Sequence, residues 1–120
     1  MALTWATGQT ITQLTAVNQT EQLSTALDLL LAYTTLCEVK ANSSGTPTDP
    51  LIINIYLSND NSAYDDQPWS GFSYEPGSTS TEQMTVSLPA GLRYVKFGFA
   101  SGGATDTYVV DMDYQRLTAV

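Results

Sequence analysis

The chain has 120 residues, with 12 acidic side chains against 4 basic ones, a net charge of −8, and a charged share of only 13%. That length predicts one domain with one core, and the four bases (Lys40, Arg93, Lys96 and Arg116) are too few to neutralise a run of phosphates, which excludes nucleic acid, while the acidic shell disfavours an anionic membrane. Histidine is absent and Cys37 is the single cysteine, which removes histidine-based triads, His- or Cys-rich zinc sites and any intramolecular disulfide.

Residues 1–26 are rich in Thr, Gln and Ala, with Ile11, Leu14 and Val17 as thinly spread apolar points. The expectation is an N-terminal arm or edge segment over 1–25 and a β-sandwich domain over 26–120. Met1-Ala2-Leu3-Thr4-Trp5 has neither a basic region nor an apolar run, so no signal peptide is expected. The apolar run from Leu27 to Leu36 is broken by Asp28, Thr34 and Thr35 and is too short to span a bilayer. Ser24 to Ala32 has some helical character, with Ser24 or Thr25 as a cap. Immediately after it, however, Tyr33, Thr35, Cys37 and Val39 alternate with Glu38 and Lys40. The reading is one long strand over 29–40, with Cys37 buried and unreactive.

Asn42 to Pro50 carries every local mark of a loop. The clearest strand follows. Leu51, Ile53, Ile55 and Leu57 fall on one face, and Ile52, Asn54, Tyr56 and Ser58 on the other. It ends in Asn59-Asp60-Asn61-Ser62, side chains that bond their own backbone and favour turns. Between Tyr64 and Tyr74, Pro68 and Gly71 limit regular structure to a short edge piece. Glu75-Pro76-Gly77-Ser78 is a turn candidate.

Three strands close the chain. Over 82–88, Met84, Val86 and Leu88 oppose Thr85 and Ser87; over 92–100, Val95, Phe97 and Phe99 oppose Tyr94 and Lys96. Over 106–117, Tyr108, Val110, Met112 and Tyr114 oppose Val109, Asp111, Asp113 and Gln115. Short alternating strands joined by Gly/Pro turns predict an all-β protein, an antiparallel β-sandwich or small jelly roll.

Little in the chain points to catalysis. Asp60, Asp65 and Asp66 with Asn59 and Asn61 make an oxygen-rich loop, but the spacing is not that of an EF-hand, and such a loop reads as a turn. Asp111 and Asp113 share a strand face and read as its solvent side. No catalytic residue, metal ligand or cofactor is therefore expected, and the chain reads as a non-enzyme. The surface is instead built of hydroxyls and amides, with Lys and Glu scarce as they are in interface cores. Trp5, Ile11, Leu14, Trp69, Phe72 and Tyr74 are the candidates for a protein interface. Stacking of the same aromatics on sugar rings is the alternative.

The strand Tyr33–Lys40, the linker Ser44-Gly45-Thr46-Pro47-Thr48, the strand end Ile55-Tyr56-Leu57-Ser58-Asn59-Asp60-Asn61 with Tyr64-Asp65, and Arg93-Tyr94-Val95-Lys96-Phe97 together resemble small structural proteins of tailed bacteriophages. The closest likeness is to head decoration, or cement, proteins, across roughly residues 27–100. Asp60-Asn61 stands where such proteins often carry Asp-Gly. The resemblance implies a virion protein made in the host cytoplasm, placed on the outer capsid surface, with the major capsid protein and its own copies (a homotrimer) as partners. A phage tail or neck protein and a carbohydrate-binding sandwich share the same pattern.

Overall fold

Alternating apolar residues have a physical solution only where one face of a sheet meets another, and this chain builds two such sheets. The computed structural model describes residues 3–5, 9–43, 48–74 and 81–119. The described residues form ten strands: β1 (Leu3–Trp5), β2 (Gln9–Val17), β3 (Gln22–Leu23), β4 (Leu27–Asp28), β5 (Ala32–Ser43), β6 (Leu51–Ser58), β7 (Ser70–Tyr74), β8 (Thr81–Pro89), β9 (Tyr94–Ser101) and β10 (Tyr108–Ala119). Among the described residues there is no helix.

All pairings are antiparallel. In the first sheet β1 and β2 share one edge of β10, and β5 and then β8 follow on its other side. In the second, β3 and β4 share one edge of β9, followed by β6 and β7. From β2 to β10 the chain passes back and forth between the sheets, the connectivity of a two-sheet jelly roll. The turns after β4, β6 and β8 lie at one end of the sandwich. Those after β2, β5 and β9 lie at the other.

The core is the interleaved inner faces. Ile53 and Ile55 of β6, Phe97 and Phe99 of β9, Cys37 and Val39 of β5, and Val110 and Met112 of β10 are all buried. The two phenylalanine rings stack with centroids 6.2 Å apart, and each contributes about 1.5–3 kcal/mol through removal from water. The expected registers hold. Val95, Phe97 and Phe99 are inward, with Tyr94 and Lys96 outward; Tyr108, Val110 and Met112 are inward, with Val109 and Asp111 outward.

Within 1–25 the described strands lie at sheet edges, β1 and β2 on the first sheet and β3 on the second, and Val17 is completely buried. One expectation changes: 29–40 is not one strand. Leu29 donates its N–H to the Arg93 carbonyl (2.8 Å), Ala32 donates to the Leu29 carbonyl (3.1 Å), and β5 begins only at Ala32. The apolar run is shared between sheets: Leu27 and Leu29 are buried from the second, Thr35 and Cys37 from the first. The chain must cross the sandwich between them, and a continuous strand cannot.

Candidate functional site

The crossing from β4 to β5 creates the most unusual local structure of the molecule. Asp28 accepts the Leu30 N–H at 3.0 Å, which closes a tight turn. Buried Leu29 anchors it. To complete the reversal Leu31 adopts φ 65°, a left-handed conformation. Its β-carbon crowds the following carbonyl there, at a cost of roughly 1–2 kcal/mol, and glycine or asparagine is the usual occupant. With Leu29 turned inward, Leu30 and Leu31 point into solvent, and Leu31 is 79% exposed, the most of any large apolar side chain described.

Neighbouring strands bring more apolar surface to this end. Trp5 pairs with Leu117, Leu117 with Thr34, and Thr118 with Ala32, so Tyr33 is the extra residue at a bulge in β5. Trp5 and Tyr33 are both more than two-fifths exposed. Among the described residues six large hydrophobic side chains stand exposed: Trp5, Leu30, Leu31 and Tyr33 lie on or beside the β4–β5 crossing, Trp69 lies on the β6–β7 loop at the same end, and Leu23 lies on β3. Two guanidiniums flank the turn. Arg93 forms an ion pair with Asp28 and lies over the Tyr94 ring at 4.1 Å. Arg116 donates to the Asp28 carbonyl at 3.0 Å.

The interface candidates from the sequence divide. Trp5 joins the pole. Trp69 is exposed on the loop before β7, its N–H bonded to the Ile55 carbonyl at 2.8 Å. Phe72 and Tyr74 pair with Ile53 and Leu51, which places their rings against the core, half-buried. Leu14 pairs with Val110 and also packs on the core. The side chain of Ile11 lies outside the described residues, as does the turn candidate Glu75–Ser78. The structure therefore does not gather Trp69, Phe72 and Tyr74 into one exposed platform. Sequence reasoning passed over Leu30 and Leu31, because an apolar pair inside an apolar run reads as core. The one available signal was their position between two runs of conflicting phase.

The carboxylates serve the loops. Ser58 and Asp60 organise the tip after β6: Asp60 Oδ1 accepts the N–H groups of Ser62 (2.9 Å) and Ala63 (3.1 Å), and Asn61 takes φ 62°. These donors hold the Asp60 carboxyl below its ordinary pKa, the Ser62 bond foremost. At the opposite end two loops clasp each other. Asp106 Oδ2 accepts the N–H of Thr48 (2.6 Å) and Asp49 (2.7 Å), while Asp49 Oδ2 accepts those of Thr105 (2.8 Å) and Asp106 (2.9 Å). The Asp49 and Thr48 amides lower the Asp106 pKa. On the outer face of the second sheet, Glu21 lies over Gly98, the closest approach that a missing β-carbon allows. It accepts from Asn54 Nδ2 (2.9 Å) and from the Tyr56 hydroxyl (2.8 Å). Asp111 and Asp113 face outward beside Lys40 and Glu38, their partners across the strands. Among the described residues no group of three or more Cys, Asp or Glu side chains is placed to hold a metal ion.

No protein-family model matches the chain, and no curated protein matches it in sequence.

Proposed function

We propose that this chain is a non-enzymatic virion protein, a decoration module that docks on the outer surface of a tailed-phage head through the pole formed by the β4–β5 turn, Trp5 and Tyr33. The observation that carries the reading is Leu31: a large apolar side chain, almost fully exposed, kept in a backbone conformation that disfavours it. Strain of this kind persists where an exposed group is needed for contact. The surrounding apolar surface is what a hot spot requires, with the two arginines as its polar rim. The jelly-roll sandwich is an architecture used by viral capsid proteins and by lectins. The resemblance carried by Tyr33–Lys40, Ile55–Asn61 and Arg93–Phe97 points to the first. A sugar-binding reading draws less support, since of Trp69, Phe72 and Tyr74 only Trp69 is substantially exposed. The partner is then the major capsid protein, and the −8 charge keeps unbound copies soluble and apart.

Co-sedimentation with heads of the phage that encodes the chain tests this directly. Asparagine tolerates the left-handed region, so Leu31→Asn keeps the turn and removes the apolar tip. Its capsid affinity should fall by about 1–4 kcal/mol if the tip is a hot spot, with an unchanged or raised melting temperature. Unchanged affinity would move the docking surface elsewhere; no sedimentation of the natural chain would end the proposal.

A further inference from the structure

A sheet edge is a row of unpaired N–H and C=O groups, and proteins blunt such edges to avoid association. Three edges of this sandwich are blunted. The β1/β2 edge is split in two, and β2 runs irregularly against β10, with register shifts between Tyr108 and Val110 and between Met112 and Asp113. The β3/β4 edge consists of two strands of 2 residues each. Strand β7 has 5 residues and contains Gly71. Strand β8 is different. Its 9 residues pair with β5 in unbroken register from Thr34↔Pro89 to Asn42↔Thr81, and among the described residues no strand pairs with its other side. It has no lysine, no bulge, no proline before its last position, and Glu82 as its one charge.

From this we infer that β8 is a self-association edge: two copies of the chain pair β8 to β8, antiparallel, about a twofold axis at Thr85, the midpoint of Thr81–Pro89. Three features favour a second copy as the occupant. The first is charge. On a molecule of net charge −8, most surfaces of two copies repel. In this register Glu82 faces Leu88 of the other copy, and the two Glu82 residues stand about 20 Å apart by the strand rise, beyond the screening length of physiological salt. The second is side-chain complementarity. Exposed Thr85 meets its own copy and exposed Gln83 meets Ser87, polar to polar, on the outer face. On the inner face Met84 meets Val86, and both are only half-buried in the single chain. The third is the seam between the sheets at this side. Val39, Ala41, Leu51, Tyr74 and Met84, with Gln83 at its border, line a narrow crevice there, too tight for water, and Met84 and Val86 of a paired copy would extend its cover. Pairing runs one sheet through both copies and, being isologous, closes at two.

The test uses the full chain. Light scattering at about 100 µM, well above a micromolar dissociation constant, should give twice the 13.0 kDa chain mass. Thr85→Lys places like charges on the axis and should weaken the dimer by at least about tenfold. Thr85→Cys, with Cys37 buried, should cross-link under mild oxidation, since facing residues lie about 5 Å apart. Ser87→Cys should not, because its two copies stand about 13 Å apart along the strands. A monomeric natural chain overturns the inference, as does a mass three times that of the chain. So does a dimer that ignores Thr85→Lys or cross-links equally through Ser87→Cys. Capsid binding by a monomer would leave the docking proposal standing while this one fails.

Discussion

Leu31 and Cys37 lie six positions apart, yet they obey opposite rules. Leu31 is an apolar side chain in water on disfavoured backbone; Cys37 is fully enclosed between the sheets. Burial pushes the Cys37 thiol from its ordinary 9.0 up to about 12, because the interior cannot solvate a thiolate. Since the folded pKa lies above the unfolded one, its contribution is fully present below pH 9 and declines as the pH rises toward 12. At neutral pH a thiol reagent should therefore modify Cys37 only as fast as the chain unfolds, with labelling rising together with urea-induced unfolding. For Leu31 the expectation is the reverse of an ordinary leucine truncation. Replacement by Asn should raise the urea midpoint, by up to about 1–2 kcal/mol of relieved strain.

At the scale of elements, the strands differ in what their exposed ends do. The β6–β7 loop and β7 carry Trp69, Phe72 and Tyr74 close together in sequence, but the pairing Ile53↔Phe72 and Leu51↔Tyr74 turns the latter two inward. Phe72→Ala should therefore destabilise the fold, by a value below the about 3–5 kcal/mol of a fully buried phenylalanine. Trp69→Ala, at an exposed site, should change stability by no more than about 0.5 kcal/mol. Thermal melts of the two variants side by side check this; equal losses would mean that Trp69 is packed. The turn Pro89-Ala90-Gly91 shows the same division of labour: Gly91 takes φ 98°, which brings the chain from β8 into β9. Leu88 just before it is buried and Ala90 within it exposed.

For the whole molecule, the acidic charge works in two directions as pH falls. Twelve acids against four bases repel one another in the compact state, and protonation relieves that. Asp60 and Asp106, however, have folded pKa values below their ordinary ones, through backbone N–H bonds to the carboxylates. Their contribution is present above the unfolded carboxyl pKa of about 3.9 and is lost as pH falls through the lowered folded values. Stability should thus hold or rise slightly toward mildly acidic pH and drop below about pH 4. Asp106→Asn, which keeps the shape of the β5–β6 and β9–β10 loop clasp without the charge, should lower the melting temperature at pH 7. It should also flatten that acid drop. An unchanged acid limb in this variant would place the pH dependence in other carboxylates.

What the chain alone determined is the all-β sandwich and most of its inner face. Ile53, Ile55, Phe97, Phe99, Val110 and Met112 recur at every second position against neighbours that are mostly polar or small, and a period of two has one physical meaning. The Asn59–Ser62 tip and the absence of a histidine site were equally local properties, whereas of the loop expected over Asn42–Pro50, Asn42 and Ser43 instead continue β5, paired with Val109 and Tyr108, and residues 44–47 lie outside the described residues. Tertiary structure alone decided the rest. Leu27 to Leu36 is apolar throughout most of its length, so no local preference says where the chain leaves one sheet for the other. That point is set by where β9 offers the Arg93 carbonyl to Leu29 and where β10 begins to pair with Ala32. The same holds for Phe72 and Tyr74, turned inward by their register with β6, and for Trp5, brought beside Leu117 by the far end of the chain. Exposure is a property of what lies across a sheet, and neighbours distant in sequence supply it.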